Sequence, residues 1–223
     1  MVPFVYHAAN RLTQYVLLPP YGSLRVIGLE NLPLTGPIII ASNHLNDADP
    51  GGLSTRIPRR LVFMTKVELF RVPLLGQFLR AYGAFPVRRH QADLSALRQA
   101  NDTLKRGLAL VIFPEGTRSG RTIGLKEAWP GAGLIALRND APIVPVAITG
   151  SQRLELPWMF LHPFPRARIT LTIGQPFRLP KPERINAASA QAGSHLIMKR
   201  IAALLPPEYR GYYGEERQVA SSK

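Results

Sequence analysis

The chain has 223 residues, 46% of them hydrophobic, which suits a single domain with a full core and excludes a disordered polymer. It contains no cysteine, which excludes disulfides, thiolate metal sites and a cysteine nucleophile, and fits a reducing compartment. The net charge of +14 points to an anionic partner: nucleic acid, an anionic membrane surface or a phosphorylated substrate. No run of 18 apolar residues is present, so no transmembrane helix is expected. The first residues lack the basic start and long apolar stretch of a secretory signal.

In chain order, residues 4–18 read as an amphipathic helix. Phe4, Val5, Ala8, Ala9, Leu12, Tyr15 and Val16 share one face, and His7, Asn10, Arg11 and Gln14 the other. Pro19-Pro20 stops it. At roughly 22 Å it is too short for the ~30 Å hydrocarbon core. It is expected either to pack on the domain or to lie in a membrane interface.

Short apolar runs then alternate with helical patterns. Strand-type runs fall at 24–29, 38–41, 61–64, 83–87, 108–113, 143–148 and 169–173, many of them bounded by Gly or Pro. Helical spacing occupies 51–57, 68–81, 91–106, 126–138 and 183–205, the last ended by Pro206-Pro207. This alternation predicts an α/β fold in one domain: a mixed, largely parallel sheet flanked by helices, with the N-terminal amphipathic helix added. The expected divisions are the helix over 1–20, a central domain over 21–207 and a polar C-terminal tail over 208–223.

Two short motifs follow strand-type runs. Ile38–Ile40 runs into Asn43-His44-Leu45-Asn46-Asp47-Ala48-Asp49. Strand ends are where open α/β sheets usually carry their sites. On a regular helix His44 and Asp49 would lie about 140° apart and would not meet. A turn opening into a helix near Asp49-Pro50 could bring them together. Asp49 would then hold one imidazole nitrogen and leave the other as a base. The competing reading is an ordinary capping cluster, because Asn, Asp and Pro are common turn residues.

The second motif, Phe113-Pro114-Glu115-Gly116-Thr117-Arg118-Ser119, follows the run at 108–113. Gly116 allows a tight turn, and Arg118 offers a planar donor fork matched to phosphate. Its competing reading is a turn held by a Glu–Arg pair. A third stretch, Gly83-Ala84-Phe85-Pro86-Val87-Arg88-Arg89, ends in two arginines. Between residues 56 and 89, arginines and lysines alternate with Phe70, Val72, Leu74, Leu75, Phe78 and Leu79. That composition suits either a membrane-interface element or a core helix with a basic outer face.

These three stretches, followed by Ala141-Pro142-Ile143-Val144-Pro145-Val146, resemble in order and approximate spacing the four blocks of the glycerophosphate and lysophosphatidate acyltransferase family, the PlsC-like group. The resemblance covers about residues 22–180. It implies a 1-acylglycerol-3-phosphate O-acyltransferase of phospholipid biosynthesis, with acyl-CoA or acyl-carrier protein as donor. It makes His44 the base and Asp49 its orienter. It puts Glu115, Gly116, Thr117 and Arg118 on the acceptor-phosphate block, with Arg89 as a second phosphate ligand. It implies no cofactor, no metal and no covalent enzyme intermediate. The implied setting is peripheral, on the cytoplasmic face of an anionic membrane. Three positions depart from the usual pattern: Asn46 where many members have Ser, Asp47 as a second carboxylate beside Asp49, and Arg88 where many carry an acid.

The alternatives are acylation of another lysophospholipid or of a lyso-aminolipid, and a catalytically silent lipid-binding relative. A nucleic-acid binder is suggested by charge alone, and no helix-turn-helix cue, zinc spacing or RRM-like aromatic signature accompanies it. No nucleic-acid partner is expected. A serine hydrolase lacks its G-x-S-x-G elbow here.

Overall fold

In the computed structural model, residues 2–89, 93–119, 122–154 and 167–214 are described. Seven strands form one sheet: β1 (Gly22–Ile27), β2 (Ile38–Ser42), β3 (Leu61–Lys66), β4 (Phe85–Val87), β5 (Ala109–Ile112), β6 (Ile143–Thr149) and β7 (Ala167–Ile173). Their order is β1-β7-β6-β2-β5-β3-β4. Every neighbouring pair is parallel except β6 with β7. The seven strands expected from sequence are all present.

The helices are α1 (Val2–Leu12), α2 (Asp49–Arg56), α3 (Leu75–Tyr82), α4 (Leu94–Lys105), α5 (Gly131–Asn139) and α6 (Ala187–Ala202). The expected helix over 68–81 is broken: a 3-10 segment, Val67–Arg71, precedes α3, separated from it by Val72-Pro73-Leu74. Pro73 lacks the N–H that a continuous helix would need. Gly83, at φ +96°, ends α3 in a left-handed cap where its N–H and that of Ala84 return to the last turn. The start of the fourth expected helix, at 91–92, lies outside the described residues.

Central strands β2 and β5 are buried along their whole length, as continuous apolar runs in a parallel sheet require. Glycine lets α5 and α6 approach closely: a Cβ on Gly133 would stand 2.1 Å from the Ala190 carbonyl oxygen. The Gly133 N–H donates to Ser194 Oγ at that crossing.

Two boundaries differ from the sequence expectation. The tail expected from 208 is packed through 214: two 3-10 turns, Pro207–Tyr209 and Gly211–Tyr213, carry Tyr209 and Tyr213 into the core. Backbone bonds Leu125 N–H to Tyr209 O and Tyr212 N–H to Leu125 O clamp this segment to the loop before α5. The tyrosines bring enough apolar area to offset ordering an otherwise polar segment. Residues 215–223 lie outside the described residues.

The second difference concerns α1. It continues as one π-helical turn, Thr13–Leu17, and packs on α2 and α3 through Tyr6 and Asn10. Asn10, expected on the solvent face, takes hydrogen bonds from Ser54 Oγ and Tyr82 Oη and donates to the Ser54 carbonyl. Polar groups that pair with one another can face inward without losing hydrogen bonds. The apolar residues Phe4, Leu12, Tyr15 and Val16 stay exposed. Among the described residues, no helix is long and apolar enough to cross a membrane.

Candidate active site

β2 and β5 are adjacent and parallel, with Ala41 beside Ile112. Their next strands lie in opposite directions: β3 beyond β5, and β6 on the far side of β2. The carboxyl ends of strands where the chain reverses its direction across the sheet are where open α/β sheets carry their sites. The two sequence motifs are the loops leaving these ends.

His44 and Asp49 meet. His44 Nδ1 lies 3.0 Å from Asp49 Oδ2. The chain turns at Asn46, where the Asp49 N–H donates to Asn46 O and the Ala48 N–H to Asn46 Oδ1. Asp49 then opens α2. The same Oδ2 accepts the N–H groups of Leu45 at 2.7 Å and Asn46 at 2.8 Å. A carboxylate whose side chain is fully buried therefore both closes the turn and orients the imidazole. With Nδ1 donating to Asp49, Nε2 is left as an acceptor, the form a general base needs. The ring stacks on Phe113 at 4.1 Å between centroids, which fixes its plane.

The main chain of His44 is held by the second motif. Its N–H donates to Glu115 Oε1 at 3.2 Å, and its carbonyl accepts the Ser119 N–H at 2.7 Å. Before it, the Asn43 side chain exchanges two hydrogen bonds with the main chain of Ile148, at 2.7 and 2.9 Å. An amide side chain thus continues the β2–β6 pairing one residue past the strand and anchors the loop.

Glu115 does not face solvent. It is 1% exposed, and its Oε2 accepts Ser119 Oγ and the Lys126 N–H, both at 2.9 Å. Burial pushes its carboxyl above the usual range, opposed by bonds from Lys126, Ser119 and the His44 main chain. The expectation that Glu115 contacts substrate is corrected to a role inside the loop pair, because both oxygens are committed to protein donors. Gly116 turns the chain at φ +67°, and a Cβ there would press on the Trp129 ring at 3.1 Å. Thr117 is half-buried on that turn.

Arg118 is exposed and pairs with Asp47, Nη1 to Oδ2, at 2.5 Å. Asp47 therefore does not compete for the imidazole. The Arg118 carbonyl accepts Lys126 Nζ. Arg89 is also exposed. Its guanidinium pKa is lowered by desolvation, raised by Glu68, lowered by Arg118 and raised by Asp47. Arg89 thus feels the charges of Arg118 and Asp47. Arg88 points its main chain elsewhere, its N–H capping onto Asp93 Oδ2.

Not every arginine of the basic stretch serves this site. Arg59 donates to the carbonyls of Pro33, Gly36 and Gly107, at the opposite, amino ends of the strands. Residues beyond the expected set also build the site: Asn43, Phe113, Ser119 and Lys126. Asn43, Phe113 and Ser119 were visible as motif neighbours. Lys126 carried no sequence signal, since its contacts cross a loop.

This dyad-and-arginine arrangement can be compared with known proteins. A family model described as Acyltransferase matches residues 23–149, more than half of the chain. The chain belongs to the acyltransferase family. It is 35% identical over 180 residues to a protein of Bacillus subtilis named 1-acyl-sn-glycerol-3-phosphate acyltransferase, covering 77% of this chain and 85% of that one. A chloroplastic enzyme of the same name from Arabidopsis thaliana is 28% identical, over 67% of this chain and 42% of its own length. The crystal structure of the 1-acyl-sn-glycerophosphate acyltransferase PlsC from Thermotoga maritima shares the fold, with a TM-score of 0.67 at 22% identity over 91% of this chain and 79% of that one.

Proposed function

We propose that this acyltransferase moves a fatty acyl group from a thioester donor, acyl-CoA or acyl-carrier protein, to the free hydroxyl of 1-acylglycerol-3-phosphate, in phospholipid biosynthesis. The observation that carries the reading is the His44–Asp49 contact, with the exposed Arg118 held by Asp47, two residues before Asp49. The names of the relatives agree with it.

In this reading His44 Nε2 takes the proton of the acceptor hydroxyl as its oxygen attacks the thioester carbonyl carbon. The buried Asp49 carboxylate offsets the imidazolium charge that forms. The tetrahedral intermediate collapses, the C–S bond breaks, and the imidazolium returns its proton to the departing thiolate. Arg118 and Arg89 hold the acceptor phosphate, with Gly116 and Thr117 shaping the turn that presents Arg118. The enzyme docks peripherally on the anionic cytoplasmic face of a membrane. The exposed Phe4 and Leu12 of α1 and Tyr15 and Val16 of the turn after it support this, with Val72 and Leu74 before α3 and Phe78 on it. Phe78 stacks at 5.5 Å on Tyr82, which itself lies 4.9 Å from Tyr6 of α1, so the two apolar groups are neighbours. Arg11, Arg71 and Arg80 flank them.

The test is thiol release from palmitoyl-CoA with and without 1-acylglycerol-3-phosphate, for the wild type and His44→Ala. Release that depends on acceptor and falls about 10²–10⁴-fold in the variant supports the assignment of the base. Equal rates in the two proteins would remove His44 from that role.

A further inference from the structure

Asp47 is a carboxylate placed directly on the arginine proposed to bind phosphate. Both main chains beneath the pair are fixed. On one side, Leu45 and Asn46 donate to Asp49, and Ala48 donates to Asn46 Oδ1, so the turn around Asp47 is closed. On the other, the Ser119 N–H is bound by the His44 carbonyl, and the Arg118 carbonyl by Lys126 Nζ. Only the two side chains are free to part. They are exposed, at 53% for Arg118 and 77% for Asp47, and meet at 2.5 Å between the two motif loops. Asp47 closes no turn and touches no part of the His44–Asp49 contact.

We infer that Asp47 is an internal anion that occupies the phosphate position on Arg118 in the empty enzyme and is displaced by the acceptor, so that it sets anion affinity at this site. The inference rests on the phosphate role proposed for Arg118. An arriving phosphate must break the Asp47 contact and then sit beside a like charge, so every anion binds more weakly than at an unpaired arginine. A lipid acceptor held in the membrane surface is locally concentrated and also brings apolar contacts, and so tolerates that competition. Dissolved inorganic phosphate has neither advantage and is kept from filling the site. Asp47 in this sense sets the absolute anion affinity of the site and leaves the ratio between two phosphate ligands unchanged: a membrane-presented phosphate monoester fills the site, and phosphate in solution leaves it free.

The experiment measures inorganic phosphate binding calorimetrically to the wild type, Asp47→Asn, Arg118→Met, the double variant, and Asp102→Asn. Asp102 is an exposed acid near the end of α4, where the chain turns back towards the amino end of β5, and it controls for net charge. For an exposed ion pair, loss of the competitor should tighten phosphate binding about two- to fivefold in Asp47→Asn. The gain should vanish in the Arg118→Met background and be absent from Asp102→Asn. The acceptor KM and the inhibition constant of inorganic phosphate in acyl transfer should fall in parallel. Unchanged or weaker phosphate binding in Asp47→Asn, or an equal gain in Asp102→Asn, overturns the inference. A wild type with no acceptor-dependent turnover would instead refute the proposed reaction, while the calorimetric comparison would still decide the role of Asp47.

Discussion

Asp49→Asn and Asp49→Ala separate the two roles that one carboxylate oxygen plays. In the wild type, Oδ2 accepts the His44 Nδ1–H and the N–H groups of Leu45 and Asn46. In Asp49→Asn the two backbone donors require the amide oxygen in that position. The oxygen can still accept from Nδ1, so the imidazole keeps the tautomer that leaves Nε2 basic. What is lost is the charge facing the imidazolium. A unit charge about 4 Å away is worth ~4 kcal/mol at an effective dielectric constant near 20. At ~1.4 kcal/mol per decade, kcat should fall by about 10²–10³, with little change in melting temperature. Asp49→Ala should lose activity and also leave two buried N–H groups unpaired, at about 1–3 kcal/mol each. At ~2–4 °C per kcal/mol for a chain of this length, its melting temperature should drop by at least about 4 °C. The assay pairs thioester turnover at saturating substrates with thermal unfolding. An Asp49→Asn enzyme within threefold of wild type would refute the electrostatic role. An Asp49→Ala protein melting with the wild type would refute the role in the turn.

Further outcomes follow from the same contacts. Glu115→Gln puts an amide NH₂ against the Lys126 N–H, so it should lower both stability and turnover, read by thermal unfolding and by kcat. Because burial raises the Glu115 carboxyl in the folded state, the stability it contributes is fully present below its ordinary value of 4.5 and is lost as pH rises through the raised value. The wild-type minus Glu115→Gln stability difference should therefore shrink upward from pH 4.5, and a difference that grows over that range would refute the sign. Gly211→Ala places a Cβ 2.5 Å from the Leu125 main chain at a backbone φ of +47°, and should destabilise by at least about 1 kcal/mol in denaturant unfolding. Phe4→Ser with Leu12→Ser should reduce co-sedimentation with anionic vesicles at unchanged melting temperature. Raising salt should weaken the same binding, since each basic residue near an anionic leaflet contributes about 1 kcal/mol. Salt-independent binding would count against charge in docking.

Much of the architecture was legible in the one-dimensional pattern. Strand-length apolar runs separated by helical spacing follow from the burial of a parallel sheet on both faces, and all seven strands fell where those runs lie. The residues of the site were legible because they directly follow two of the strands, β2 and β5. Contacts between distant segments were not legible. Whether His44 meets Asp49 depends on a turn at Asn46, and helical spacing argued against it. Glu115 read as a substrate ligand because its motif faces an anion site, yet folding turns it inward to hold the His44 main chain 71 positions away. Asn10 read as solvent-facing because helical periodicity assigns sides by polarity, whereas Ser54 and Tyr82, brought by α2 and α3, supply partners that make its burial favourable. The polar segment through residue 214 is ordered by Tyr209 and Tyr213 against α6 and the loop before α5. Local propensity and apolar periodicity are properties of neighbouring residues, so the sequence by itself determined the elements, their class and the loops that carry the chemistry. Which oxygen each donor finds, and whether Arg118 faces Asp47 or open solvent, depends on residues far apart in the chain, and only the tertiary structure decided it.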